Sequence, residues 1–172
     1  MSRTEEQSTA PYDGKAVANL ILDWASDDGI PVTPMKLQKL IYFCHAEFLK
    51  ITGNGLVSQE FEAWDYGPVI PYIFHEFKHF SKTAISSRAF KFDPVSAKKV
   101  YAINNVCIND QNTLRKIYDF YKSISATSLS DLSHDPEGPW TIARELFDDG
   151  RNADRRISNA MINRFYRTQR PS

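Results

Sequence analysis

His75-Glu76-Phe77-Lys78-His79 is the stretch whose residue types and spacing come nearest to a catalytic pattern. On a helix, histidines four positions apart share a face and can hold Zn²⁺, while the intervening glutamate acts on a metal-bound water. A catalytic zinc also needs a third protein ligand. In the extended histidine pattern a glycine and a third histidine follow, but Lys82 and Ile85 stand at those places. No glutamate occurs between Glu76 and Glu137 to serve instead. His75 and His79 are therefore read as part of a solvated helix face, with a zinc metallopeptidase kept as the lesser alternative. No metal set, catalytic residue or cofactor is assigned, and no enzymatic activity is expected.

Two other clusters invite chemistry. Ser133-His134-Asp135 holds the residue types of a hydrolytic triad, but triads are defined by geometry rather than by adjacency. His134 is expected instead to make a hydrogen bond that fixes the turn before Pro139-Trp140. Tandem short helices over 127–134 and 140–147 could imitate a helix-turn-helix, which would make the chain a DNA-binding operon repressor. Asp131, Asp135, Glu137, Glu145, Asp148 and Asp149 face only Arg144 there, whereas a recognition helix needs cations against phosphates. Arg151, Arg155, Arg156, Arg164, Arg167 and Arg170 give the C-terminus a basic run, read as a solvated face.

The whole chain gives nucleic acid little purchase. Its 21 Lys and Arg balance its 21 Asp and Glu, and a dedicated nucleic-acid binder usually carries a basic excess. At 172 residues and 42% hydrophobic composition, one domain with a full core is expected. Cys44 and Cys107 do not make a disulfide framework or a zinc spacing, and no apolar run opens the chain. These features predict a cytoplasmic protein with no membrane segment.

The elements that must position these residues centre on 33–80. Thr33 and Pro34 form a helix start, and Leu37, Leu40, Ile41, Cys44, Phe48 and Ile51 repeat at helical spacing. Tyr42, Phe43 and Leu49 widen that stripe, leaving Lys36, Gln38, Lys39, Glu47 and Lys50 as a thin polar edge. Such a helix is normally central. Gly53-Asn54-Gly55 ends it. Phe61-Glu62-Ala63 alternates as a half-buried strand ending in a Tyr66-Gly67-Pro68 turn, and Ile70, Ile73, Phe74, Phe77 and Phe80 mark another helix.

Elsewhere, residues 1–12 read as a mobile tail, and Asp13 caps a helix bearing Val17, Leu20, Ile21 and Trp24. Residues 81–107 form either a small hairpin or an irregular excursion. Helical pattern returns from Asp110, a short helix is capped at Thr127, and Ser158 caps the last helix with Ile157 and Ile162 as a hydrophobic staple. The expected fold is mainly α: a single compact helical domain with a small β element between helices. Trp64, Tyr66 and Tyr72 are the aromatics with polar tips that suit an interface, although Trp64 serves equally as core.

Met35-Lys36-Leu37-Gln38-Lys39-Leu40-Ile41-Tyr42-Phe43, then Phe61-Glu62-Ala63-Trp64-Asp65-Tyr66-Gly67-Pro68-Val69-Ile70-Pro71, then His75-Glu76-Phe77-Lys78, resemble the Panacea domain. That is the family of SocA-like antitoxins and phage-associated GepA proteins. Leu132-Ser133-His134-Asp135-Pro136-Glu137-Gly138-Pro139-Trp140 is similar to the family's Leu-Thr-His-x-x-x-Pro-Trp signature, with Ser133 in place of threonine. The resemblance covers about residues 13–168 and makes Lys36, Leu37, Leu40, Tyr42, Gly67, His134 and Trp140 its structural motif positions. It implies an antitoxin that binds a cognate toxin protein encoded beside it. Family partners include alarmone-synthetase-like toxins, and the SocA type delivers its toxin to the ClpXP protease. Trp64, Tyr66, Pro68, Tyr72 and His75 are the expected toxin-binding residues.

Overall fold

Helix α2 (Pro34–Thr52) is the element around which the others pack. Its start follows from its sequence: Thr33 is extended, its hydroxyl accepts from the Lys36 amide at 3.3 Å, and Pro34 occupies the first turn. It stops at Gly53, whose φ of 78° suits a residue without a Cβ and lets its N–H reach the Leu49 carbonyl. Leu37, Leu40, Ile41, Cys44, Ala46 and Phe48 are wholly buried. The expected polar edge needs correction, because Gln38 and Lys39 are buried as well, beneath a strand that crosses this side of the helix.

Helices α1 (Gly14–Asp27), α4 (Ile108–Tyr121) and α7 (Asn159–Thr168) enclose α2. Asp13 caps α1 by accepting from the Lys15 amide at 2.8 Å, and Ser158 caps α7 by accepting from Met161 at 3.2 Å. Ile157 and Ile162, the expected staple, are both buried. The structure describes residues 7–169 of this computed structural model. Part of the expected tail, residues 1–6, and Arg170 lie outside them. Within the described part, Ser8 and Tyr12 both donate to Asp110, and Tyr12 is 2% exposed.

Three short strands form one antiparallel sheet. β1 (Phe61–Trp64) lies between β2 (Gly67–Val69) and β5 (Arg156–Ile157), with Trp64 opposite Gly67 and Phe61 opposite Ile157. The chain reverses at Asp65-Tyr66, so Gly67 and Pro68 belong to the returning strand rather than to the turn that was expected there. β5 is too short to leave a period-2 signal in sequence.

Helix α3 (Pro71–Phe77) follows and tightens into a 3₁₀ turn, Lys78–Phe80. Of the two readings of 81–107, the hairpin is found: β3 (Phe90–Asp93) pairs with β4 (Lys98–Tyr101). Buried Asn19 on α1 holds its base, donating to the carbonyls of Ala89 and Ala102 and accepting from the Ala89 amide at 2.7 Å. Helix α5 (Ala126–Ser133) is capped by Ser125, not by Thr127: the Ser125 hydroxyl accepts from the Ser128 amide at 3.1 Å, and Thr127 lies inside the helix. Helix α6 (Pro139–Asp148) completes a mainly α fold with small antiparallel strands. Among the described residues no helix is long and apolar enough to cross a membrane.

Candidate functional site

The β1–β2 hairpin is bolted to α2 by two buried polar side chains of that helix. Gln38 brackets Ile70, accepting from its amide at 2.9 Å and donating to its carbonyl at 3.3 Å. Lys39 is 1% exposed and donates to the Pro68 carbonyl at 2.9 Å. Burial pushes the Lys39 ammonium down to about 7. Only glycine fits above it. A Cβ on Gly67 would stand 2.6 Å from Ser133 Oγ and 2.8 Å from Lys39 Cε, and Gly67 has φ 109°.

The outer side of the hairpin is held from α5 and α6. Ser130 Oγ donates to the Tyr66 carbonyl at 2.7 Å, and Trp140 Nε1 donates to the Trp64 carbonyl at 2.7 Å. Arg144 spans the Ala63 carbonyl at 3.2 Å and the Asp65 carboxylate at 2.8 Å. The carbonyls of Ala63, Trp64, Tyr66 and Pro68 thus each accept a hydrogen bond from a side chain of α2, α5 or α6. The turn is a rigid display for the Tyr66 side chain, which is 74% exposed.

His134 does not make the hydrogen bond expected of it. Its ring lies against Trp140 with centroids 4.0 Å apart, and Nε2 is buried with no hydrogen-bond partner among the described residues. Burial, followed by the charge of Lys39, holds the imidazole below its ordinary pKa. The turn is fixed by Asp135 instead: its side chain accepts from the Glu137 amide and its carbonyl from the Thr141 hydroxyl.

Beside the hairpin lies an open groove of about 700 Å³ between the start of α2, the Trp64–Tyr66 turn, α3 and Arg155. Met35, Trp64, Val69 and Phe74 make its apolar wall. The Trp64 and Phe74 rings meet edge to face at 4.9 Å. Lys39, Lys78, Lys82 and Arg155 also line it.

Of the five residues expected to bind a partner, Trp64 and Tyr66 line this groove and the other three do not. Pro68 is buried in β2. Tyr72 faces α1, with its hydroxyl 3.4 Å from Asp13 and the Lys15 ammonium 4.3 Å from its ring centroid. His75 is exposed against Phe74. Lys39, Lys78, Lys82 and Arg155 were missed. The available signal was a Gln-Lys pair on a helix with too little polar surface to leave them outside.

The rival chemistries meet specific obstacles. Glu76, the would-be zinc base, binds Lys15 at 2.9 Å and accepts from the Phe90 amide at 3.0 Å. Burial raises its pKa, but these partners outweigh that and hold the carboxyl below the usual range. Helix α3 ends at Phe77, so His79 sits in the 3₁₀ turn rather than on a continuous helical face with His75. In the helix-turn-helix reading, Arg144 is consumed by Ala63 and Asp65. Arg151 and Arg156 likewise pair with Asp149 and Glu60.

Fold and groove together define a small, mainly helical domain that presents a braced aromatic hairpin beside an open groove. Residues 37–141 match the family model described as Antitoxin SocA-like, Panacea domain. Over 136 residues the chain is 35% identical to Antitoxin SocA of Caulobacter vibrioides (strain NA1000 / CB15N), covering 79% of this chain and 72% of that protein. The chain belongs to the SocA-like Panacea-domain family. No solved structure matches it.

Proposed function

We propose that this chain is an antitoxin that neutralises a toxin encoded by a neighbouring gene through direct protein–protein binding. The observation that carries this reading is the 35% identity to Antitoxin SocA across most of both chains. The functional domain is taken as residues 13–168, because α1 and α7, outside the family match, complete the packing around α2. Contact is made at the groove beside Trp64 and Tyr66. The exposed Tyr66 ring on a braced turn has the character of an interface anchor, since little conformational freedom remains to be lost on binding.

Co-expression with the neighbouring gene tests the proposal, with growth rescue and co-purification as readouts. Rescue with a stable complex supports direct neutralisation. Rescue in which the partner disappears unless ClpXP is removed assigns an adaptor role instead. Absence of both rescue and complex rejects an antitoxin role toward that gene product.

A further inference from the structure

The groove carries a charge pattern that the antitoxin reading does not use. Lys78 and Lys82 lie on its α3 side, Arg155 at its far edge, and Lys39 at its floor. Among the described residues, none of the four lies within ion-pair distance of a carboxylate. The nearby acids are already committed: Asp65 to Arg144, and Glu62 to the Trp64 indole N–H at 2.6 Å. The Lys39 amine has one protein acceptor among the described residues, the Pro68 carbonyl. Helix α2 also begins here, with Pro34 and Met35 in the lining, and the partial positive charge of its N-terminus adds to the same sign.

We propose that the groove binds an acidic peptide segment of the partner, an apolar side chain filling the Met35, Trp64, Val69 and Phe74 wall while flanking carboxylates meet Lys78, Lys82 and Arg155. This rests on the antitoxin reading and names the chemistry of what the antitoxin holds. A segment of one sign with an apolar anchor complements the cavity in both respects. The apolar wall favours a peptide over a phosphate backbone, and the chain's zero net charge provides no wider basic surface to follow one.

Calorimetry on the full chain tests this with N-acetyl-Glu-Leu-Glu-Phe-Glu amide and its counterpart bearing glutamine at each glutamate. The acidic peptide is expected to bind at least about tenfold more tightly, and the advantage to shrink as salt rises and shortens the screening length. A Lys78→Glu, Lys82→Glu, Arg155→Glu triple variant, checked for an unchanged thermal melt, is expected to lose the preference. Equal binding of the two peptides, no binding of either, or an undiminished preference in a folded triple variant overturns the proposal. Displacement of the acidic peptide by a ten-residue oligothymidylate with a steeper salt dependence overturns it in favour of nucleic acid. If the co-expressed partner binds the triple variant normally but not Tyr66→Ala, the antitoxin reading survives and the acidic segment does not. If no partner binds the wild-type chain, the antitoxin reading itself fails.

Discussion

The indole N–H of Trp140 donates to the main-chain carbonyl of Trp64 across 2.7 Å, joining two sequence motifs that lie 76 residues apart. One motif supplies the hairpin and the other the brace. Trp140→Phe keeps the ring stacked on His134 but leaves the Trp64 carbonyl short of a donor. The expected cost is about 1–3 kcal/mol in urea unfolding. Unchanged stability would show that water replaces the indole there.

Gly67 stands where the hairpin comes closest to α2 and α5. Gly67→Ala combines φ 109° with a Cβ overlapping Ser133 Oγ and Lys39 Cε, and Lys39 is hemmed in on the floor of the site. Destabilisation of about 2–4 kcal/mol is expected, from backbone strain together with overpacking. A melt within error of wild type would mean that the hairpin lifts off Lys39 freely.

Asn19 is the hinge pin of the β3–β4 hairpin. Asn19→Leu removes its three hydrogen bonds to Ala89 and Ala102 while keeping a buried side chain of similar volume. Backbone amides of 90–101 are expected to lose hydrogen-exchange protection by at least about tenfold, with those of α2 little changed. A uniform loss across the chain would instead mark Asn19 as part of the global core.

Much of this fold was legible because its signals are local. The Thr33-Pro34 start, the Gly53 stop and the Ser158 staple each depend on a handful of neighbouring residues. What escaped is non-local. β5 exists only because Arg156 and Ile157 find β1, and Ser125 rather than Thr127 caps α5 because helix boundaries depend on the incoming chain. The groove was half visible: Trp64 and Tyr66 stood out by type. Its four cations came from three separate stretches of sequence, and Lys39 was hidden in a pattern that treats every lysine as solvated. Tyr72 looked equivalent to Tyr66, yet the two point to different neighbours.

That difference makes Tyr66 the cleaner probe of the interface. Tyr66→Ala removes a side chain that is 74% exposed, so stability should change by no more than about 0.5 kcal/mol. Partner affinity should fall by at least about 2 kcal/mol if this ring anchors the complex. Tyr72→Ala disturbs the contact with Asp13 and Lys15 on the α1 side, so it should lower the melting temperature whatever the partner does. Full affinity in a folded Tyr66→Ala variant would move the interface away from the turn.

Lys39 gives the fold a pH dependence whose sign can be worked out. Burial pushes its amine down to about 7 in the folded chain, against about 10.4 when unfolded. Between those values the unfolded chain holds a proton that the folded chain has shed, so this residue makes stability rise with pH; below about 7 the cost of burying the charge is felt in full. The buried tyrosines and Cys44 act in the opposite direction at alkaline pH, because burial keeps them protonated in the folded chain. Comparison with Lys39→Met cancels those contributions. The variant's stability relative to wild type should be greatest near about pH 6 and should fall by about 2–3 kcal/mol by about pH 9, measured by urea unfolding at each pH. A difference that stays constant between the two would show that Lys39 keeps its charge in the folded chain, balanced by a partner other than the Pro68 carbonyl.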